Sequence, residues 1–162
     1  MLPEDERIEA QVGAALRFKG WTICTAESCT GGLIAHRLTN IPGCSEYVVG
    51  GVVSYANEAK INLLGVPAAT IASVGAVSEA TARAMADGVR ALFDADISVS
   101  VTGIAGPGGG SPEKPVGLTY IGVAVRGYET RVERFVWGSD REGSKALSAD
   151  AALRMALEAL KL

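Results

Sequence analysis

The stretch W-T-I-C-T-A-E-S-C-T-G-G at residues 21–32, followed by L-I-A-H-R-L-T-N at 33–40, decides the fold. The run 21–25 is rich in residues that favour β-structure and predicts a short buried strand. Residues 33–40 predict a helix that stops at Pro42 and Gly43. Residues 26–32 form the turn between them. A strand that leads through a tight turn into a helix is typical of layered α/β proteins.

The rest of the chain continues this alternation and then departs from it. Acidic residues after Pro3 predict a helix start, and Gly20 predicts its end. In the middle of the chain the sequence predicts a central strand at 47–55, apolar on both faces, then a helix capped by Asn57 and closed by Gly65, and an irregular segment at 66–77. A helix capped by Ser78 follows, with an apolar stripe of Ala82, Met85, Val89 and Leu92, and then a strictly alternating strand at 96–101.

The last part of the chain is predicted to contain a loop at 103–115, a hairpin of strands 116–125 and 131–137, and a helix from Asp140 with Leu147, Ala151 and Met155 on one side.

Helices alternate with strands early in the chain, whereas a β-hairpin enters late. This order predicts an α/β fold, a single-domain layered α/β/α sandwich with a mixed β-sheet. The length of 162 residues predicts one domain over residues 1–162.

Composition excludes several classes of protein. Fifteen Lys and Arg against 18 Asp and Glu leave a net charge of −3, which argues against a protein that binds the nucleic-acid backbone. An aromatic content of 6% argues against a base-stacking platform. A hydrophobic content of 48% excludes disorder, and the apolar runs are too short to cross a membrane. Gly at 20 positions suggests tight backbone turns around a site.

The acidic N-terminus does not resemble a signal peptide, and three cysteines without C-x-x-C spacing argue against a disulfide framework or a zinc knuckle. We therefore expect a cytoplasmic protein without metal or cofactor. Apolar strands and an acidic surface are compatible with a dimer or larger assembly, and we expect a homo-oligomer.

Several common catalytic motifs can be eliminated. His36 is the only histidine, and its place on the helix after Ser28 favours a structural role over a Ser-His-Asp site or a zinc site. The sequence contains no Walker A motif. Glycines at 103–110 precede a strand rather than a helix, so they are a weak dinucleotide signal. Ser111 and Lys114 match S-x-x-K, but the flanking prolines disfavour the helix that this motif needs.

Ser28 lies in the strand-to-helix turn, where free backbone N–H groups at the start of the next helix would face an anion. The flanking glycines would let a substrate approach the chain closely. The alternative is that Ser28 or Thr30 simply caps the helix.

Lys60 lies in the first turn of the helix after Asn57, where the helix dipole disfavours a cation. A neutral lysine can act as the general base for a serine hydroxyl when no histidine is present. Tyr55 precedes this helix and could relay or donate a hydrogen bond. The alternatives are an exposed lysine and a core tyrosine.

These segments also carry a resemblance to a known family. A-E-S-C-T-G-G at 26–32, S-Y-A-N-E-A-K at 54–60, G-A-V-S-E at 75–79, G-I-A-G-P at 103–107 and K-P-V-G at 114–117 follow in this order. Together they closely resemble the CinA C-terminal domain family, the nicotinamide-nucleotide amidases, over residues 6–160. The length of the chain resembles the stand-alone form of that domain.

The resemblance implies hydrolysis of the carboxamide of nicotinamide mononucleotide to nicotinate mononucleotide and ammonia, in pyridine nucleotide recycling. It implies a Ser–Lys site without metal, with Ser28 as the nucleophile, Lys60 as the base and Tyr55 assisting. The substrate is a small nucleotide, with neither nucleic acid nor membrane as partner.

Substrate-binding residues follow from the same resemblance and from chemistry. Either Gly31–Gly32 or the segment Thr102–Gly106 would supply the oxyanion donors. Arg141, at the start of the last helix, is the candidate for the 5′-phosphate, with a solvated arginine as the alternative. The substrate-binding set comprises Thr30, Gly31, Gly32, Thr102, Gly103, Gly106 and Arg141.

The sequence departs from the family pattern near its end. Ser139 stands where the family commonly has glycine, and Lys145 stands where it has a second arginine. A lysine keeps the charge but gives up bidentate contact with a phosphate.

Two further hypotheses remain open at this point. The domain could be a non-catalytic or regulatory module that binds a pyridine nucleotide. Alternatively, Cys29, adjacent to Ser28, could be the nucleophile.

Overall fold

A five-stranded sheet with the strand order β2-β1-β3-β4-β5 organises the protein, whose computed structural model describes residues 6–162. Six α-helices cover this sheet within that range. The elements are α1 (Ile8–Lys19), β1 (Ile23–Glu27), α2 (Leu33–Thr39), β2 (Val48–Val53), α3 (Asn57–Leu64), α4 (Ala68–Val74), α5 (Glu79–Phe93), β3 (Ile97–Gly103), β4 (Leu118–Val125), β5 (Arg131–Val136) and α6 (Arg141–Ala159), with a 3₁₀ turn at Cys44–Glu46.

The sheet is mixed, as predicted. Strand β1 pairs in parallel with β2 and β3, and the pairs β3–β4 and β4–β5 are antiparallel. Helices α1, α2 and α6 pack together on one face, and α5 covers the other with α3 and α4 against it. The α/β/α sandwich expected from the sequence is therefore confirmed.

The carboxyl ends of three neighbouring parallel strands meet at one edge of the sheet. Glu27 is in register with Val53 on one side and with Val101 on the other. The chain beyond each strand stays in place because Ser28 N–H donates to the Val101 carbonyl at 3.0 Å and Ser54 N–H donates to the Glu27 carbonyl at 2.8 Å. In open α/β sheets ligands bind at this edge, so the topology indicates where to look for a site.

Strand β2 lies at the edge of the sheet, so the prediction of a central strand was wrong. Its buried fraction alternates along the strand, and Val49 and Val53 are 43% and 52% exposed. Val52 packs on the α5 face and Val48 on the other, because the register shifts by one residue at Val49. An apolar run alone does not distinguish an edge strand of this kind from a buried one.

Helix boundaries differ from the prediction in three places. Residues 66–77, predicted to be irregular, contain α4, whose β-branched residues weaken the helical signal. Asn57 is the first residue of α3 and Ala56 occupies the cap position. Helix α1 begins at Ile8, while Pro3 and the acids at 4–5 lie outside the described residues. Gly20, with φ of +67°, ends α1 as predicted.

The predicted apolar stripes are only partly correct. On α5, Leu92 is 55% exposed, and on α6, Leu147 is 43% exposed. The face of α6 that meets the core carries the predicted Met155 and Leu153 together with alanines and two buried serines, and hydrophobicity does not identify the serines. The buried residues of α6 are Ser144, Ser148, Ala149, Ala152, Leu153, Met155 and Ala156.

In strand β3, Ser alternates with apolar residues although neither face of the strand is exposed to solvent. Ile97, Val99 and Val101 face the α1/α6 core, while Ser98 and Ser100 are fully buried beneath α5. Their hydroxyls donate to the carbonyls of Ala86 and Ala82, each at 2.7 Å. The strand is therefore covered on both faces.

Glu27 ties the end of β1 to the start of α2. Its carboxylate is 1% exposed and accepts hydrogen bonds from the Thr30 hydroxyl at 2.7 Å and from the N–H groups of Ile34 and Ala35 at 2.9 and 3.0 Å. A carboxylate at this position satisfies backbone donors of the helix start and interacts favourably with the helix dipole. It thereby fixes the turn that carries Ser28.

We predict that Glu27→Gln lowers the free energy of unfolding by about 2 kcal/mol, since hydrogen bonds to a charged group contribute about 1.5–3 kcal/mol and an amide cannot accept all three. Urea denaturation measures the difference. Glu58→Gln is the control, because Glu58 is an exposed acid in the first turn of α3. Equal destabilisation by the two substitutions would contradict the role of Glu27.

Candidate active site

A cavity of about 200 Å³ opens at the carboxyl ends of β1, β2 and β3. It lies between the turn after β1, helix α3, the end of β3 and the start of α6. Its lining residues are Ser28, Cys29, Tyr55, Asn57, Lys60, Ala76, Val77, Thr102, Gly103, Ala105 and Arg141.

Ser28 and Lys60 meet in this cavity. The Lys60 Nζ atom lies 3.0 Å from Ser28 Oγ, although the two residues come from different elements 32 positions apart. Ser28 is 8% exposed and Lys60 is 1% exposed. The alternative of an exposed lysine is therefore wrong.

The surroundings of Lys60 favour its neutral form. Burial lowers the pKa of the amine, and the Cys29 thiol offsets this effect only in part. Within residues 6–162, Lys60 forms no salt bridge with a carboxylate. Desolvation without a counter-charge is the usual cause of a lysine that is uncharged near neutral pH.

Three oxygens lie within hydrogen-bond distance of Nζ, so the geometry serves an ammonium that donates to all three as well as a neutral amine. Nζ donates to the carbonyls of Ser54 at 2.8 Å and of Tyr55 at 3.2 Å. A neutral amine has two N–H groups and one lone pair, so these carbonyls use both donors and the lone pair is left for the Ser28 hydroxyl. The geometry allows Lys60 to act as a base toward Ser28.

Tyr55 and Arg141 form the mouth of the cavity. The Tyr55 side chain is 59% exposed, and its phenol oxygen accepts from Arg141 Nη2 at 3.0 Å rather than bonding to Lys60 or Ser28. Arg141 Nη1 donates to the Gly106 carbonyl at 2.8 Å. Tyr55 therefore contacts Lys60 only through its backbone carbonyl, and its phenol positions the exposed guanidinium.

The remaining residues of the expected substrate-binding set divide into two groups. Thr102 and Gly103 line the cavity, and the Thr102 hydroxyl donates to the Ala76 carbonyl at 2.7 Å. Thr30, Gly31, Gly32 and Gly106 do not line it. The Thr30 hydroxyl is used by Glu27, and Gly31 and Gly32 have positive φ, +62° and +104°, which shapes the turn.

Cys29 lines the cavity but is a poor candidate for the nucleophile. It is 7% exposed, and burial raises the pKa of its thiol to about 11. The thiol therefore stays protonated near neutral pH, whereas nucleophilic cysteines react as thiolates.

The other polar residues noted in the sequence lie elsewhere. His36 is exposed and pairs with Asn40 at 3.3 Å, which agrees with a structural role. Ser111 lies in an exposed loop, and Lys114 donates to the Val74 carbonyl. Lys145 lies beside Gly31, outside the cavity lining.

Sequence reasoning missed two residues of this site, Glu27 and Ser54. A charged residue at the end of an otherwise buried strand was the available signal for Glu27. Nothing in the sequence singled out Ser54, because its contact with Lys60 depends on the path of the chain between β2 and α3.

No group of three or more His, Cys, Asp or Glu side chains in residues 6–162 is placed to hold a metal ion. No helix among these residues has the length and apolar character needed to cross a bilayer.

Two larger concavities lie away from Ser28 and Lys60. One of about 510 Å³ lies between α4 and α5, and one of about 360 Å³ lies between the β4–β5 hairpin and the end of α6. Neither contains a serine paired with a base, so the smaller cavity is the candidate active site.

Solved structures with this fold are similar over nearly the whole chain. A competence/damage inducible protein from Agrobacterium tumefaciens superposes with a TM-score of 0.91 at 42% identity, covering 96% of both chains. A CinA superfamily protein from Escherichia coli gives a TM-score of 0.88 at 30% identity, covering 100% of this chain and 94% of that one.

Curated relatives extend beyond this domain. A CinA-like protein from Chloroherpeton thalassium is 49% identical over 159 residues, which is 96% of this chain but 38% of that protein. A CinA-like protein from Salinibacter ruber is 49% identical over 158 residues, again 38% of its length. The chain thus spans well under half the length of these relatives.

A family model agrees with both comparisons. The model of the CinA C-terminal domain matches residues 5–160. The chain, with its Ser28–Lys60 pair at the ends of three parallel strands, therefore belongs to the CinA C-terminal domain family.

Proposed function

We propose that the protein is an amidohydrolase that converts nicotinamide mononucleotide to nicotinate mononucleotide and ammonia. The observation that carries the proposal is the 3.0 Å contact between Ser28 Oγ and the buried amine of Lys60, which forms no salt bridge within residues 6–162. A serine beside a neutral base is the arrangement that acyl transfer requires. The substrate comes from the family resemblance of the sequence motifs.

In the first half of the reaction Ser28 is the nucleophile. Lys60 takes the hydroxyl proton as Oγ attacks the carboxamide carbon, which gives a tetrahedral adduct. The Lys60 ammonium then returns this proton to the leaving nitrogen, and ammonia departs from an acyl-enzyme. In the second half Lys60 takes a proton from water, hydroxide attacks the ester, and the proton returns to Ser28.

The adduct also needs donors for its oxyanion. Of the two segments considered, Gly31–Gly32 lies outside the cavity lining, whereas Thr102–Gly106 contributes Thr102, Gly103 and Ala105 to it. The second segment is therefore the better supported. Removing one such donor typically costs about 3–4 kcal/mol of transition-state stabilisation.

The size of the cavity suggests how the nucleotide is held. Pockets that enclose a drug-sized ligand measure about 300–1,000 Å³. A cavity of about 200 Å³ has room for the nicotinamide end only. The ribose phosphate would then extend to the mouth, where the exposed guanidinium of Arg141 can bind its phosphate.

A non-catalytic nucleotide-binding module is the second candidate. Such a module would explain the cavity and Arg141. Nucleotide binding alone, however, does not require the desolvated amine of Lys60 within hydrogen-bond distance of the Ser28 hydroxyl. Burying such an amine costs stability, and the cost is explained if Lys60 acts as a base.

The nucleophile can be tested by substitution. We predict that Ser28→Ala lowers kcat for ammonia release from nicotinamide mononucleotide by at least about 10³-fold, because the acylation step is lost. Cys29→Ala, the neighbouring control, should keep most of the activity. Loss of activity in Cys29→Ala with retention in Ser28→Ala would assign the reaction to the thiol, and wild-type protein that binds the nucleotide without turnover would favour the module.

The phosphate contact can be tested with two substrates. We predict that Arg141→Met lowers kcat/KM for the mononucleotide by about tenfold or more, since an ionic hydrogen bond contributes about 1.5–3 kcal/mol. The effect on the corresponding riboside, which has no phosphate, should be much smaller. Arg154→Met, at an exposed arginine on α6 outside the cavity, is the control. Equal losses for both substrates would contradict the assignment.

The state of Lys60 can be tested without activity. Because its pKa is lowered in the folded protein, the unfolded chain binds up to one more proton between that pKa and the ordinary lysine value of 10.5. The free energy of unfolding of wild type minus that of Lys60→Met should therefore rise by up to about 1.4 kcal/mol per pH unit in this window and level off below it. Urea denaturation across the pH range measures the difference. A flat difference would contradict a lowered pKa.

A further inference from the structure

Ser54 lies directly after β2 and contacts Lys60 with its backbone. Its N–H donates to the Glu27 carbonyl at 2.8 Å, and its carbonyl accepts from Lys60 Nζ at 2.8 Å. Its side chain is fully buried. Ser54 thus forms part of the wall that holds the amine.

The hydroxyl of Ser54 has no hydrogen-bond partner among the described residues. Over the same range the only comparable side-chain atom is the hydroxyl of Tyr47, which packs against Gly13 and Arg17. Other buried serines are satisfied; for example, Ser98 and Ser100 donate to carbonyls of α5. A buried hydroxyl without a partner costs stability, so the fold by itself gives no reason for serine at position 54.

We infer that the Ser54 hydroxyl is a positioning group for the protonated form of Lys60. It accepts a hydrogen bond from Nζ once Lys60 has taken the proton of Ser28. This inference rests on the proposed function for its place in the reaction. The hydrogen bond itself depends only on the placement of Ser54 and Lys60.

The count of donors explains why a further acceptor is needed. The neutral amine uses its two N–H groups on the carbonyls of Ser54 and Tyr55. After proton transfer it has three N–H groups, and the third faces Ser28 Oγ, which is now bonded to the substrate carbon and is a weaker acceptor. Ser54 Oγ has free lone pairs. The Ser54 carbonyl already contacts Lys60 Nζ, and rotation about χ1 of Ser54 changes the position of Oγ relative to that amine.

The protons balance without Ser54 changing its charge. Lys60 gains a proton from Ser28 and gives it to the leaving nitrogen, while Ser54 only accepts and then releases a hydrogen bond. An acceptor for the ammonium stabilises the charge that develops during attack, which is where such an interaction accelerates the reaction.

The titratable and charged groups around Lys60 do not replace this acceptor. The Cys29 thiol, the Tyr55 phenol and the Arg141 guanidinium share its cavity, and Arg141 is itself a donor. The Glu27 carboxylate at the end of β1 is used by Thr30 and α2, and Glu58 on α3 is exposed.

The experiment follows the effect of Ser54→Ala in three measurements. The pKa of Lys60 should fall by about one unit when Ser54→Ala is added to Ser28→Ala, because the third N–H of the ammonium then has neither serine hydroxyl as an acceptor. NMR of the lysine side chains, assigned with Lys60→Met, measures this pKa. In Ser54→Ala alone, the value of kcat should fall about tenfold or more relative to wild type. The midpoint of thermal unfolding should stay the same or rise, because a hydroxyl without a partner is removed.

Matched variants separate this role from a structural one. Ser54→Thr keeps the hydroxyl and, added to Ser28→Ala in place of Ser54→Ala, should restore the pKa of Lys60. Ser100→Ala removes a buried hydroxyl that has a partner, so it should lower the unfolding midpoint and leave the pKa of Lys60 unchanged.

An unchanged pKa of Lys60 on adding Ser54→Ala to Ser28→Ala would overturn the inference, whatever the effect of Ser54→Ala alone on turnover. A lowered pKa, with a wild-type protein that releases no ammonia from nicotinamide mononucleotide, would support the hydrogen bond between Ser54 and Lys60 and overturn the proposed function instead.

Discussion

A desolvated amine without a counter-charge is the constraint on which this structure depends. Lys60 is almost completely buried, and its hydrogen-bond partners among residues 6–162 are two carbonyls and one hydroxyl, with no carboxylate. Such an amine is stable in a protein only if it is neutral or if its surroundings can accommodate a transient charge. The fold meets this condition by bringing the ends of parallel strands to one point. Strand β1 delivers Ser28, and the segment after β2 delivers the two carbonyls.

The central part of this arrangement could be predicted from the sequence. A β-rich run, a turn with two glycines and a helical run place Ser28 at a strand end, and the position of Lys60 near a helix start makes it a candidate base. Both inferences depend on local patterns of a few residues. The contact between them depends on the parallel pairing of β1 with β2, which no local pattern reports.

The predictions that failed did so because several packings share one pattern. The apolar run of β2 suits a central strand as well as an edge strand with a register shift at Val49. On α6 alanines and serines make up most of the buried face beside Leu153 and Met155, so hydrophobicity alone wrongly placed Leu147 on that face. The residues of the turn also have a structural role, because Glu27 accepts from the Thr30 hydroxyl and from the start of α2, and Gly31 and Gly32 have positive φ. Glu27, a buried acid at the end of β1, holds the turn that carries Ser28 through these hydrogen bonds.

Two features that cost stability lie next to each other at Nζ of Lys60. The amine is desolvated, and the neighbouring Ser54 hydroxyl has no hydrogen-bond partner among residues 6–162. Strain and unsatisfied groups that persist together usually mark a functional site, since each alone would be removed by simple substitutions. The turn after β1 differs, because the Glu27 carboxylate there accepts three hydrogen bonds from Thr30 and the start of α2. The nucleophile thus follows a strand end that hydrogen bonds hold in place, while the base lies among groups whose hydrogen bonds can change as its charge changes. A reaction in which a proton moves to the base and back requires this division, because the serine must keep its position while the environment of the amine adapts to two charge states.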